Sequence, residues 1–346
     1  MQFSNDHSCP IQVACIGFGI SGQSHVFDLV TNQQYALRGI IGKSKNTLDN
    51  IRSIYPFNAL YSNLEELFND SQLELIILAT PNNIAPALVF KALQKNMKVL
   101  VEKPFIIFQS HYYKMISSFP DAENNVSILY NRRFKKAWRE AKEIISSNQL
   151  GNILNVSFKC LGPYKNRFSA TGMSFRSSKI DSIGGVVIDT CSHILDSILF
   201  LFENIGEIEK VNLSIEPTTG LEFEAIVEIN QMNKFKIIVE ILNHDSDEER
   251  KTMEIKGVYG TIVIDDIMAN FKIKDEAREY EDSYLIRPCE DGLNLIQNIP
   301  FYGTSLSEAM VIAGKINDIY RLSKYPFKME WKRPRAKALG KRSGAC

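Results

Sequence analysis

Over residues 11–129, short runs rich in Val and Ile alternate with stretches of helical pattern: "IQVACIGFG", "HVFDLVTNQ", "LRGIIG", "LEELFND", "LELIILATP", "PALVFKALQKN" and "KVLVEKP". This order constrains the fold more than any other feature of the chain. Runs of that kind, separated by about ten to fifteen residues of helical period, read as βαβ units. Parallel strands need a crossover between them, and the crossovers cover both faces of the sheet. The first part of the chain is therefore predicted to be a doubly wound α/β domain.

After residue 151 or so the style changes. The stretch "GGVVIDTCSHILDSILFLF" over residues 184–202 reads as one long apolar helix. Closely spaced strand candidates surround it: "ILNVSFKCL", "IEKVNLSIEP", "EAIVEIN", "FKIIVEILN", "KTMEIKG" and "GTIVIDD", joined by polar turns. They predict a mostly antiparallel sheet. "SLSEAMVIAGKINDIYRLS" has apolar residues at helical spacing and should close the fold as an amphipathic helix. We divide the chain into a dinucleotide-binding domain over 10–130, a substrate-binding and oligomerisation domain over 131–330, and a basic tail over 331–346.

The 346 residues are 45% hydrophobic, enough to bury the cores of two domains. Forty basic residues balance forty acidic ones, so no global field draws the protein to nucleic acid or an anionic membrane. No segment has the roughly 18 uninterrupted apolar residues of a membrane span, and the opening "MQFSNDHSCP" lacks a signal-peptide pattern. The cytoplasm is the expected location. Cys9, Cys15, Cys160, Cys191, Cys289 and Cys346 form no CxxC pair, so neither a disulfide framework nor a metal site is expected.

In "VACIGFGISGQSH", Gly17, Gly19 and Gly22 form a G-x-G-x-x-G between a strand and a helix. Chemistry requires glycine there: the turn is tight, a pyrophosphate approaches the backbone, and helix packs on strand. The helix N-terminus adds N–H groups and a positive dipole for phosphate. About twenty residues further on, an NAD-binding domain places an acid on the ribose hydroxyls. Here Gly42 is followed by Lys43 and Ser44, a cationic and hydroxyl pair suited to a 2′-phosphate. NADP(H) is therefore the expected cofactor over NAD(H). An incidental solvated loop is the competing reading of those residues.

Glu102, Lys103 and Pro104 end a later strand, in the region outside the carboxyl ends of the sheet where ligands sit. In the 184–202 helix, Asp189, His193 and Asp196 fall four and three residues apart, on one helical face. A core helix with satisfied polar groups and a helix with a reactive face both fit that spacing. Lys165, Arg167, Arg176 and Lys179 could meet the diphosphate of a nucleotide sugar, or could simply be solvated.

Taken in order, "GFGISGQSH" with His25, "ILATPNN", "EKP", "NRRF", the glycine-led helix and "FYGTSLSEAM" resemble the Gfo/Idh/MocA family of NAD(P)-dependent oxidoreductases. The resemblance spans nearly the whole chain. It implies a fold with an N-terminal doubly wound Rossmann domain and a C-terminal α+β domain built on a large, mostly antiparallel open sheet. The sheet's exposed face would make homodimer or homotetramer contacts. Lys103, Asp189 and His193 match the family's catalytic positions. Gly17, Phe18, Gly19, Ile20, Ser21, Gly22, Lys43, Ser44, Thr80, Pro81, Asn82, Glu102 and Lys103 would contact the cofactor, and Lys103, Arg132, Arg176, Asp189 and His193 the substrate. Ala85 departs from the pattern, standing where the family usually has histidine.

The implied reaction is hydride transfer between nicotinamide and a carbinol or carbonyl carbon of a small polyhydroxylated molecule: a sugar, polyol or nucleotide sugar. His193 would be the general base, Lys103 would polarise the reacting oxygen, and Asp189 would orient the imidazole or bond a neighbouring hydroxyl. A ligand-sensing regulator without turnover, or a reductase of a diol or tetrapyrrole, are the other classes the same fold serves.

Overall fold

A computed structural model of the chain describes residues 9–42, 61, 63–171, 175–244 and 246–323. Lys43, Ser44 and the basic tail lie outside the described residues. The first sheet has five parallel strands: β1 (Ile11–Ile16), β2 (Tyr35–Ile41), β3 (Leu75–Leu78), β4 (Lys98–Glu102) and β5 (Val126–Leu129). Their order is β2-β1-β3-β4-β5, so the chain reverses direction across the sheet at β1 and β3. Helices α1 (Ile20–Val30), α2 (Leu64–Asn69), α3 (Ala85–Gln94) and α4 (Gln109–Ser118) lie between these strands in sequence. All four residues of β3 and of β5 are buried. Continuous apolar strands of that kind are what a sheet covered on both faces demands.

Helix α5 (Lys136–Ser146) leads into the second sheet, which contains β6 (Ile153–Gly162), β7 (Glu207–Ile215), β8 (Glu222–Gln231), β9 (Phe235–Asn243), β10 (Arg250–Gly257), β11 (Gly260–Ile264), β12 (Met268–Ile273) and β13 (Glu276–Glu281). The order is β13-β12-β11-β10-β6-β9-β8-β7, and every pairing is antiparallel except β6 with β9. Along β8 and β9 burial alternates with period two: Val227, Ile229, Val239 and Ile241 are fully buried on one face, while Glu228, Ile238 and Glu240 point the other way.

Between β6 and β7 come short helices α6 (Tyr164–Phe168) and α7 (Lys179–Ser182), a π-helical turn over Val187–Cys191, and α8 (Ser192–Phe202). The apolar run is thus not one regular helix. The wider turn, with its i→i+5 hydrogen bonds, precedes the α-helix and rotates the residues on either side relative to each other. By length and composition, Lys179–Phe202 could pass for a membrane span, but 83% of its apolar window is buried inside the protein. Ile194, Leu195 and Ile198 share one core with the buried faces of both sheets.

Helix α9 (Glu290–Ile296) packs near β4 and β5, and α10 (Leu306–Leu322) closes the fold. Ser305 caps α10 with Glu308 in a capping box. Thr304, just ahead of it, exchanges backbone hydrogen bonds of 2.9 Å with Ile128 of β5. At its far end the Tyr320 hydroxyl donates to Glu222 of β8 at 2.6 Å.

Candidate active site

The glycine turn follows β1 at the point where the strand order reverses. Gly17 has φ +100, and a Cβ there would lie 2.1 Å from the Ala79 carbonyl oxygen. A Cβ on Gly22 would lie 2.1 Å from the carbonyl oxygen of Gly17. These two glycines are required by close backbone packing. Gly19 is different, because a Cβ there would meet nothing within 4 Å. Phe18 packs on the core beside β1, while Ile20 and Ser21 are exposed at the start of α1, whose first turn has neither a side-chain cap nor an acidic residue. The open space over Gly19 and the uncapped amides suit the diphosphate of a dinucleotide.

Other predicted cofactor residues gather at the same edge. Thr80 lies on the loop that abuts Gly17, and its Oγ1 is buried without a partner among the described residues. Pro81 and Asn82 continue that loop, and the Asn82 side-chain amide reaches the Ser182 carbonyl at 3.4 Å. Asn83 donates to Asp181 at 3.0 Å, so the loop is tied to the segment before the glycine pair. Glu102 ends β4 and meets His25 of α1 at 2.7 Å. A dinucleotide therefore fits the residues present. Lys43 and Ser44, on which the cofactor preference rests, are not among the described residues.

Lys103 and its neighbours converge across the two sheets. The Lys103–Pro104 peptide bond is cis. Lys103 Nζ donates to the Asp189 carbonyl at 3.0 Å and to Asp189 Oδ1 at 3.3 Å. Arg176 Nε donates to Asp189 Oδ2 at 3.2 Å, and Arg167 Nη1 stands 3.7 Å from the same oxygen. Burial pushes the Asp189 carboxyl up, but Lys103, Arg176 and Arg167 outweigh it and hold the group at about 2. The expectation that Asp189 orients the imidazole is corrected: its carboxylate is engaged by cations, and no hydrogen bond to the His193 ring is formed among the described residues.

His193 packs against Tyr130 edge to face, with ring centroids 5.6 Å apart. Burial lowers its pKa well below the usual histidine range, with Lys103, Arg132, Lys251 and Arg176 adding in the same direction. The imidazole is neutral at cellular pH. Asp196, expected on the same face, is turned away. It is fully buried and accepts from Arg133 Nε at 3.0 and 3.2 Å and from the Thr304 hydroxyl at 2.7 Å. His193 and Asp196 stand three residues apart in the regular part of α8, and it is the pull of Arg133 and Thr304 that takes the carboxylate away from the imidazole.

The turn that carries Asp189 is itself held from behind. Ile183 adopts φ 68, rare for a β-branched residue, and the glycine pair follows. A Cβ on Gly185 would lie 1.9 Å from the Glu222 carbonyl oxygen. Glu222 Oε1 accepts from the Gly185 and Val187 amides at 2.8 and 3.2 Å, as well as from Tyr320. Burial raises the Glu222 pKa.

One cavity of about 360 Å³ joins these features, lined by Ile20, Lys103, Arg132, Arg176, Asp189 and His193 among others. All five predicted substrate residues and one residue of the glycine turn thus face the same space. Arg167 lines it too, whereas Lys165 lies over the Phe223 ring and Lys179 begins α7. Sequence reading missed the wall supplied by the second sheet: Lys251 and Met253 of β10, Ile264 of β11 and the Asp265–Asp266 turn. A signal was present, since Lys251 is in phase with buried Met253 and Ile255 and so lies on the inner face.

Comparison with known proteins bears on the family and the fold. Residues 11–130 match a family model described as an oxidoreductase family with an NAD-binding Rossmann fold, and residues 138–263 match the Gfo/Idh/MocA C-terminal domain. An uncharacterized oxidoreductase of Schizosaccharomyces pombe is 26% identical over 200 residues, 56% of this chain and 52% of the relative. The scyllo-inositol 2-dehydrogenase (NADP(+)) of Bacillus subtilis is 25% identical over 195 residues, 56% of this chain and 52% of that protein. The chain thus spans about half the length of the curated relatives it matches. A levoglucosan dehydrogenase solved with NADH and levoglucosan superposes with a TM-score of 0.78 at 17% identity, over 91% of this chain and 97% of that one. At that identity the likeness is one of fold.

Proposed function

The chain belongs to the Gfo/Idh/MocA oxidoreductase family, and from that premise we propose that it is an NAD(P)-dependent dehydrogenase or reductase acting on a carbinol or carbonyl carbon of a sugar or polyol. The observation that carries the reading is the shared cavity, in which Lys103, Asp189 and His193 face the same space as Ile20 of the glycine turn. When bound, the dinucleotide supplies the hydride chemistry. The backbone around Gly19 and the first turn of α1 would hold its diphosphate, with Thr80 nearby.

In the oxidative direction, a neutral ring nitrogen of His193 takes the hydroxyl proton of the substrate. Its depressed pKa keeps the imidazole free to accept over the whole cellular range. Lys103 Nζ donates to the oxygen that loses this proton, stabilising the negative charge as it develops. Asp189 anchors the ammonium group and Arg176 by accepting from both. In the reductive direction the same groups act in reverse, with His193 returning the proton.

NADP(H) is the preferred cofactor in this reading, because β2 runs out at Ile41 into Gly42 with no carboxylate before Lys43 and Ser44. The second sheet's outer face, where Ile226, Ile238 and Leu242 are interspersed with Glu228, Lys236 and Glu240, is the surface for a homodimer or homotetramer. The test is absorbance at 340 nm with the oxidised and reduced cofactors and a panel of sugars and polyols, repeated with His193→Asn. Cofactor binding without absorbance change across the panel would instead support a ligand-sensing protein.

A further inference from the structure

The cavity wall is rich in charge, and most of that charge is paired. Lys103 and Arg176 contact Asp189; Lys135 contacts Asp282 at 2.8 Å; Lys251 contacts Glu249 at 2.9 Å; and Arg167 also pairs with Glu249. Of the two acids at the β11–β12 turn, Asp265 accepts from the Ile267 and Met268 amides and Asp266 from the Lys251 amide. Arg132 is the exception. Among the described residues no carboxylate lies within ion-pair distance of it. Its guanidinium rests 4.8 Å from the Trp138 ring and gives one N–H to the Ser197 hydroxyl at 3.1 Å.

A guanidinium has five N–H donors in a rigid fork and no acceptor, so the neutral Ser197 hydroxyl and Cys160 thiol leave much of its capacity unused. Arg132 is half-buried at the cavity wall, and a cation partly withdrawn from water without a counter-ion is unfavourable until an anion meets it. We propose that the substrate carries an anionic group, a carboxylate or a phosphate, and that Arg132 receives it while Lys103 and His193 face the reacting carbon. This inference rests on the dehydrogenase reading and names the substrate class within it. Trp138 packs against the guanidinium, and both residues line the cavity. The field agrees with this geometry: burial and the surrounding cations together disfavour a proton on His193, and an arriving anion would offset the excess positive charge.

The experiment compares matched neutral, carboxylated and phosphorylated hexoses, pentoses and inositols with the wild-type protein, Arg132→Gln and Arg132→Lys, each checked for folding by circular dichroism. In wild type, kcat/KM should favour one anionic class over its neutral counterpart by about 10- to 100-fold, the range of charge-assisted hydrogen bonds. Whether that class is carboxylated or phosphorylated identifies the group. In Arg132→Gln the ratio should fall toward one through KM, with Arg132→Lys between. A preference for neutral sugars, or an anionic preference unchanged in Arg132→Gln, overturns the proposal while leaving the dehydrogenase reading intact. Should no sugar be turned over, calorimetry of inorganic phosphate and of D-gluconate with the dinucleotide-saturated protein still decides: binding lost in Arg132→Gln sustains the anion site while the dehydrogenase reading fails, and no binding of either, or binding that survives the substitution, overturns it.

Discussion

Asp196→Ala should be among the most destabilising single changes in the protein, although it leaves the cavity lining untouched. Asp196 is 0% exposed and its partner Arg133 4%. The pair meets at 2.9 Å, and Thr304 also donates to the carboxylate. Removing one partner of a buried pair costs about 3–5 kcal/mol, because a charge is left behind in low dielectric. Glu308 still accepts from Arg133 Nη1 at 3.0 and 3.1 Å, which places the expected loss near the lower end, about 3 kcal/mol. At roughly 2–4 °C per kcal/mol, the melting midpoint should fall by about 6–12 °C. The decisive measurement is a double-mutant cycle with Arg133→Met, followed by circular dichroism on heating. If the orphaned cation is the cause, Asp196→Ala should cost much less in the Arg133→Met background. Additive losses, or an Asp196→Ala protein that melts within a degree or two of wild type, would refute the reasoning.

The other expectations concern the cavity and its support. His193→Asn should lower turnover by roughly 10²- to 10⁴-fold with cofactor affinity and melting close to wild type, Lys103→Met should lower turnover comparably in a protein that still folds, and a destabilised but fully active His193→Asn protein contradicts the assignment. Gly42→Asp should move cofactor preference from NADP(H) toward NAD(H) in fluorescence titrations at fixed salt, and an unchanged ratio would sink the 2′-phosphate reading. Glu222→Gln keeps the acceptor for Gly185, Val187 and Tyr320 and should melt near wild type, whereas Glu222→Ala strands buried amides at about 1–3 kcal/mol each; equal melting of the two variants would discount this support. Because the folded-state pKa of Asp189 is depressed from 3.8 to about 2, its contribution is present above pH 3.8 and lost as pH falls toward 2. Asp189→Asn should therefore flatten stability across that acid window, by about 2 kcal/mol in denaturant titrations.

The parallel sheet was legible because buried parallel strands leave an unbroken apolar signature, and "LELIILATP" and "KVLVEKP" could hardly be anything else. Strands β12 and β13 were not anticipated. In β13, "EAREYE" is an edge strand with five exposed residues of six, so it has no apolar period to detect. Lys103 and His193 were readable from position in the fold and from the family pattern. The spacing of Asp189, His193 and Asp196 put all three on one face but could not say what each would meet: Asp196 pairs with Arg133 and Thr304 from distant parts of the chain, and nothing in "VIDTC" announces the π-helical turn that carries Asp189. Lys251 reaches the cavity only through the pairing of β10 with β6, a contact between residues far apart in sequence.

The last described helix reaches from one sheet to the other. Thr304 is bonded to β5, Glu308 to Arg133, and Tyr320 to the first residue of β8. A cleft between two lobes is often pictured as a pair of jaws, but here a strut spans the jaws, and spreading them would break bonds at both its ends. Any change in the space between the lobes must therefore be absorbed by this helix or by the bonds at its ends. A substitution along the strut, distant from every reacting atom, would be felt as a change in the width of the cleft.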